Sequence, residues 1–285
     1  MRAVLRSACP ALSGVARSYP AADLALWAAG ATFFGVIGIV PSALVSLRLA
    51  AASVGADAVT AGMDTAVSGP PGDHGTPQAL RVLTATAVGT SWSQVLVALF
   101  PASLYGEGLR RAFLQLSPTR GDRLTGWRGR LGLLPVIAVA PLMVLAVLAT
   151  APLVAPLYRD GGAGLILGVV VAFLVVWVAV SVALVLVYRL VAAGRVGTRA
   201  LLLGGFSTGS FLAGFLQGFL LFLAIPIDWS LPFGGLPVFG AVTALALWLY
   251  LIHILVLAGY RFTLGLDIGV TSPSSASVEK EWKVP

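Results

Sequence analysis

Residues 161–188 read GGAGLILGVVVAFLVVWVAVSVALVLVY, 28 positions without one Asp, Glu, Lys or Arg. An α-helix rises about 1.5 Å per residue, so roughly 20 apolar residues cross the hydrocarbon of a bilayer. The stretch is long enough and apolar enough to do so. Five further charge-free windows lie to either side of it, at 24–47, 82–106, 131–158, 200–227 and 229–260, and the six are 24 to 32 residues long. The expected fold class is an all-α membrane protein, a six-transmembrane-helix bundle with spans at about 25–47, 87–109, 133–157, 165–188, 201–225 and 238–260.

Composition agrees. Hydrophobic residues make up 58% of the 285 and charged residues only 10%, too few to clothe a water-soluble surface. What remains outside the windows is divided between two tails and five connections, which leaves no room for a separate soluble domain. Cys9 is the only cysteine, and His74 and His253 lie far apart, so neither a disulfide framework nor a Cys/His zinc cluster is expected, and no cofactor.

The formal net charge is +7, and its placement is more informative than its size. Arginines and lysines gather at the N-terminus (Arg2, Arg6, Arg17), after the second window (Arg110, Arg111, Arg120, Arg123, Arg128, Arg130), after the fourth (Arg189, Arg195, Arg199) and after the sixth (Arg261, Lys280, Lys283). Arg48, Arg81 and Arg159 alone fall on the other side. The positive-inside rule then puts both termini in the cytoplasm. Such juxtamembrane arginines meet anionic lipid headgroups at the cytoplasmic face, which accounts for the basic charge without a nucleic-acid partner. Nothing in the residues fixes an oligomeric state.

These readings divide the chain into a cytoplasmic segment at 1–22, a membrane domain at 23–267 and a mobile cytoplasmic tail at 268–285. Met1, Leu5, Cys9, Leu12, Ala16 and Tyr19 recur at helical spacing, as in a short helix lying in the membrane interface. Residues 53–79, with the turn-forming run Gly69-Pro70-Pro71-Gly72-Asp73, read as the largest extracytoplasmic loop. Small-residue stripes, Ala31, Gly35, Gly38 and Ser42 on the first span and Gly205, Gly209 and Ala213 on the fifth, mark close helix packing.

Three sets of polar residues are candidates for function. At the end of the second span Ser103, Glu107, Arg110 and Arg111 share a helical face, and the spacing lets the carboxylate pair with a guanidinium. This is either a local ion pair that settles the helix end or a proton-linked, cargo-facing carboxylate beside two anion-attracting arginines. On the fifth span Ser207, Ser210, Gly214 and Gln217 form a polar stripe that either lines a cavity or hydrogen-bonds a neighbouring helix. His253 on the sixth span either relays a proton or bonds a neighbour. The candidate pathway residues are thus Glu107, Arg110, Arg111, Ser207, Ser210, Gln217 and His253, with no catalytic or metal-ligating set. A Gly-rich phosphate loop ending in Lys-Ser or Lys-Thr and a His-Glu-x-x-His pair are both absent, a Gly-x-Ser-x-Gly elbow is not expected, and neither is an enzyme.

Asp23-Leu24-Ala25-Leu26-Trp27-Ala28-Ala29-Gly30-Ala31-Thr32-Phe33-Phe34, the basic Trp127-Arg128-Gly129-Arg130, and Phe239-Gly240-Ala241 leading into Leu247-Trp248-Leu249-Tyr250 together resemble the YihY/virulence factor BrkB family of bacterial inner-membrane proteins. The resemblance covers roughly residues 20 to 267. It implies six helices, cytoplasmic termini and the bacterial plasma membrane, with transport as the suggested role; the chemistry of this chain does not support the ribonuclease label attached to some members. Two departures stand out: Gly204-Gly205-Phe206 where many relatives carry Pro-Gly-Ala, and Gly259-Tyr260-Arg261 where they carry Gly-Ala-Glu. The leading expectation is a transporter or exporter of an amphiphilic or anionic solute. A non-transporting structural or assembly factor is the alternative, and an intramembrane lipid-modifying enzyme the third.

Overall fold

The computed structural model describes residues 24–68, 76–117, 123–160, 162–192, 194, 196–223 and 234–271. These form α1 (Leu24–Val54), α2 (Ala56–Ser68), α3 (Thr76–Gly89), α4 (Trp92–Gln115), α5 (Thr125–Asp160), α6 (Gly162–Leu190), α7 (Thr198–Leu223) and α8 (Pro237–Thr271). The expected interfacial helix at 1–22 and most of the connection between the fifth and sixth spans lie outside the described residues, as does the tail from 272 onward.

Among the described residues, five helical segments are long and apolar enough to cross a membrane: Leu24–Val54, Thr125–Leu157, Gly162–Leu190, Thr198–Gly218 and Val238–Asp267. Helix α4 is not among them, because Glu107, Arg110 and Arg111 share its 24 residues with Ser and Gln. It nevertheless lies within the bundle. Helix α1 packs on α4, α4 on α5, α5 on α6, α6 on α7, α7 on α8, and α8 returns to α1, which closes a ring of six. The main core runs through this ring and includes Ala28, Ala31, Leu109, Phe113, Tyr188, Leu257 and Tyr260.

The segment read from sequence as a loop is instead a helical hairpin. Gly55 takes φ +96°, a conformation that costs a glycine little, and reverses the chain from α1 into α2. Val59, Met63 and Ala66 recur at helical spacing on α2 and pack with Leu47, Ala50, Leu83, Ala87 and Leu148 into a second, smaller core. A bond from Arg81 Nε to Asp64 Oδ1 at 2.9 Å ties α3 to α2. Residues 87–89, expected to open the second span, therefore end α3. Helix α4 begins at Trp92, where Ser91 and Gln94 form a reciprocal capping box. Arg48 of α1 steadies this break, donating to the Thr90 carbonyl at 2.8 Å with its guanidinium 4.7 Å from the Trp92 ring centre.

The small-residue stripes do what their spacing implies. Gly35 and Gly38 on α1 face His253 and Tyr105, while Gly205 and Gly209 on α7 press against Val185 and Ser181 of α6. One backbone crossing was not anticipated. Gly106 of α4 and Gly129 of α5 meet backbone to backbone, and a β-carbon on either would run into the other's carbonyl oxygen. Helix α8 continues past the expected end at Tyr260 to Thr271, because Thr263 packs against Gly204 and the Asp267 carboxylate accepts from the Gly197 N–H at 2.9 Å, at the start of α7.

Candidate functional site

These contacts gather the end of α4, the start of α5, the end of α6, the start of α7 and the end of α8 at one end of the ring. Arg48, Arg81 and the α2–α3 hairpin lie at the other. At the arginine-rich end the backbone crossing of Gly106 and Gly129 brings Glu107 against α5, where Gly126, one turn before Gly129, leaves it room. Its two oxygens take different arginines. Arg111 Nη2 donates to Oε1 at 2.7 Å, the i to i+4 pair expected on one helix, while Arg130 Nε and Nη2 donate to Oε2 at 2.8 and 2.7 Å across the crossing. The carboxylate side chain is 12% exposed, against 21% for Arg130 and 55% for Arg111. One negative group between two positive ones leaves the trio with a net charge of +1. The Arg130 guanidinium also stands 5.4 Å from the centre of the Phe100 ring and 5.2 Å from that of Trp127.

Arg110 turns away from this cluster. Its Nη1 donates to the carbonyls of Val191 at 2.8 Å and Ala192 at 3.5 Å, just past the last turn of α6, where the helix dipole favours a cation. It thereby reaches over α5, the neighbour of both helices, and pins the turn from α6 to α7 into the end of the ring. Val191, Ala192 and Val196 of that turn are buried. Two more side chains hold it: the Gly194 N–H donates to the Tyr260 hydroxyl at 3.3 Å, and Asp267 takes the Gly197 N–H. Beneath it the rings of Phe113, Tyr188 and Tyr260 meet at centroid distances of 4.6 to 5.8 Å, with the Tyr188 hydroxyl donating to the Val256 carbonyl at 2.8 Å. The end of the ring is sealed by an aromatic plug and a pinned turn.

His253 is fully buried in a separate node deeper in the bundle. Its Nδ1 lies 2.7 Å from the Leu249 carbonyl and 3.1 Å from the Thr32 hydroxyl, and its Nε2 lies 2.9 Å from the Tyr105 hydroxyl. A carbonyl only accepts, so Nδ1 carries the proton, and in the neutral ring Nε2 accepts from the Tyr105 O–H. The node joins α1, α4 and α8. Tyr105 and Thr32 were not singled out in the sequence; the one signal was that Tyr105 lies two residues before Glu107, on the opposite side of its helix.

The polar stripe of α7 stands apart from both. Ser207 is exposed and Ser210 and Gln217 are half-buried on the outward face, opposite the glycines that meet α6 and α8. Ser207 and Ser210 line an open groove of about 520 Å³ with Trp177, Leu202, Leu203, Phe206 and Phe211. The Trp177 indole donates to the Phe206 carbonyl at 3.0 Å. Gly205-Phe206-Ser207-Thr208-Gly209 does match the Gly-x-Ser-x-Gly pattern of hydrolases, against the expectation that no such motif occurs. It sits inside a helix, whereas a nucleophile elbow needs a sharp strand-to-helix turn, and His253 is engaged elsewhere. The seven candidate residues therefore occupy four places: Glu107 with Arg111, Arg110 on the α6–α7 turn, His253 in its node, and Ser207, Ser210 and Gln217 on the outer face of α7. Among the described residues no three His, Cys, Asp or Glu side chains gather as metal ligands.

A ring of long apolar helices whose charges collect at its ends defines a multi-pass α-helical membrane protein. The chain belongs to the family described as Virulence factor BrkB, which it matches over residues 15–280. No curated protein and no solved structure shows significant similarity to it.

Proposed function

We propose that this chain is a bacterial plasma-membrane protein with six spans and cytoplasmic termini that moves an amphiphilic or anionic solute. Support for the sixth span comes from α4. From Trp92, stacked with Arg48, to Arg111, paired with Glu107, the helix rises about 28 Å, close to the hydrocarbon thickness. Its outward residues Leu96, Val97 and Phe100 are exposed and apolar. The arginine-rich end is assigned to the cytoplasm by the positive-inside rule.

The observation that carries the transport reading is the seal. A closed ring of helices ends in a turn with Val191, Ala192 and Val196 buried, held by three reversible side-chain contacts, from Arg110, Tyr260 and Asp267, above a polar node that joins three helices. In this reading Arg110 is a latch and His253 a coupling group. The test is reconstitution into liposomes, following fluorescently labelled phosphatidylglycerol and a water-soluble organic anion. Transport of either should exceed that in protein-free vesicles, and Arg110→Ala should change the rate. If neither moves faster than in empty vesicles, the proposal fails. One observation favours the alternative, a non-transporting structural factor: the glycine crossings leave no space between α4 and α5. That reading makes Arg110→Ala lower stability without any flux to lose.

A further inference from the structure

We propose that the outer side of the α4–α5 crossing is a binding site for one anionic phospholipid, with the headgroup phosphate on Arg111 and Arg130 and an acyl chain along the apolar faces beside them. Three observations carry it. Glu107 takes each guanidinium by its Nε–Nη2 side, and the Nη1 groups of both arginines have no partner among the described residues. The carboxylate thus fixes two forked donors side by side while neutralising only one of them, which suits a phosphate diester of single charge.

The aromatic surroundings decide between a lipid and a free anion. Phe100 and Trp127, both 62% exposed, flank the Arg130 guanidinium. From them exposed apolar residues continue along each helix: Leu96 and Val97 on α4, Leu131 on α5. The members of each set share a face, at spacings of three and four. A soluble phosphate has no use for such surface, whereas a phospholipid meets charge and apolar area in this order, with a tryptophan at headgroup depth. The site is separate from Arg110 and needs no transport, so it stands or falls independently of the function proposed above.

Trp127 is the reporter. The full-length protein is placed in phosphatidylcholine vesicles that contain either brominated phosphatidylglycerol or the same mole fraction of brominated phosphatidylcholine. The contribution of Trp127 to quenching is taken as the difference from Trp127→Phe. Phosphatidylglycerol should be enriched about fivefold at Trp127, the factor that one unneutralised arginine contributes near an anionic lipid. Arg111→Gln, which leaves the Glu107–Arg130 pair intact, should bring quenching by the two lipids together, as should Arg130→Gln. Glu107→Gln should raise the enrichment, because it releases both guanidiniums; if these residues only brace the helices, that variant leaves it unchanged. Equal quenching by the two lipids in the wild type overturns the proposal. So does a well-folded Glu107→Gln protein without the rise, or enrichment abolished by inorganic phosphate.

Discussion

Substituting Gly106 by alanine tests the crossing on which the Glu107 cluster rests. Two effects oppose each other. Alanine is favoured over glycine inside a helix by about 0.5–1 kcal/mol, so an unobstructed site would gain stability. At Gly106, however, the new methyl group runs into the Gly129 carbonyl oxygen and lies 2.7 Å from the Leu133 Cβ. Neither obstacle is the free end of a side chain, so the helices themselves must part by about 1 Å to restore ordinary contact distances. A gap of that size forfeits a quarter to a half of the dispersion energy of each atom pair along the crossing, and overpacking of this kind costs about 1–3 kcal/mol. With backbone on both sides the upper end applies, leaving a net loss of about 2 kcal/mol after the helix-propensity gain.

The assay is equilibrium unfolding of the purified protein in mixed micelles as the fraction of denaturing detergent rises. Gly30→Ala is the control, because nothing lies within 4 Å of a β-carbon there. It should unfold at the wild-type midpoint or slightly later, and Gly106→Ala distinctly earlier. Gly106→Ala combined with Gly129→Ala should cost less than the sum of the two, since the first methyl group has already separated the helices. A Gly106→Ala protein as stable as Gly30→Ala would refute the reasoning, and additive losses would show that the two glycines do not face each other.

Other variants probe the remaining contacts. Tyr105→Phe removes the hydroxyl that donates to His253 and should cost about 0.6–1.7 kcal/mol in the same titration, the range for hydrogen bonds between membrane helices. Arg81→Ala breaks an exposed pair with Asp64 and should change stability by no more than about 1 kcal/mol, with both partners about half exposed. Arg110→Ala should free the α6–α7 turn, so that a cysteine placed at the buried Val196 reacts severalfold faster with a membrane-impermeant maleimide; an unchanged rate would mean that Arg110 does not hold the turn. Ser207→Leu with Ser210→Leu alters the outward groove of α7 and should leave the unfolding midpoint within about 0.5 kcal/mol of wild type, because Ser207 is exposed and Ser210 only half-buried in an open groove.

What was legible in the sequence follows from which forces are local. Helix α6 could be read at sight because nearly every residue between 161 and 188 is apolar, and no partner is needed to decide that. The α2–α3 hairpin was missed because the Gly-Pro cluster at 69–72 dominated the reading, although Val59, Met63 and Ala66 already carried a helical period. The Ser91–Gln94 capping box, which marks the start of α4, was equally present and unread. Pairing of Glu107 with Arg111 is a property of one helix and was visible. Its pairing with Arg130 depends on how α4 crosses α5 and was not. On α7 two stripes competed for the interior. The period shows which residues share a face but not what that face meets, and the glycine stripe took the helix contacts because it lets backbones approach, leaving the hydroxyls outside.

The polar content that makes α4 a poor solitary span also makes it the hub of the bundle. A polar group in hydrocarbon is tolerated where protein satisfies it, and three polar residues of α4 are each satisfied by a different element. Tyr105 reaches His253 on α8, Glu107 reaches Arg130 on α5, and Arg110 reaches the turn beyond α6. These three residues lie within two turns of one helix, so α4 cannot rotate or slide without disturbing the buried node, the charged cluster and the seal together. A helix fixed only by apolar contacts would carry no such linkage, since one greasy surface replaces another at little cost. In a static bundle this linkage merely locks the register of α4. In a transporter it joins the latch at Arg110 to the node at His253, and Tyr105→Phe would then speed maleimide labelling at the turn without touching it.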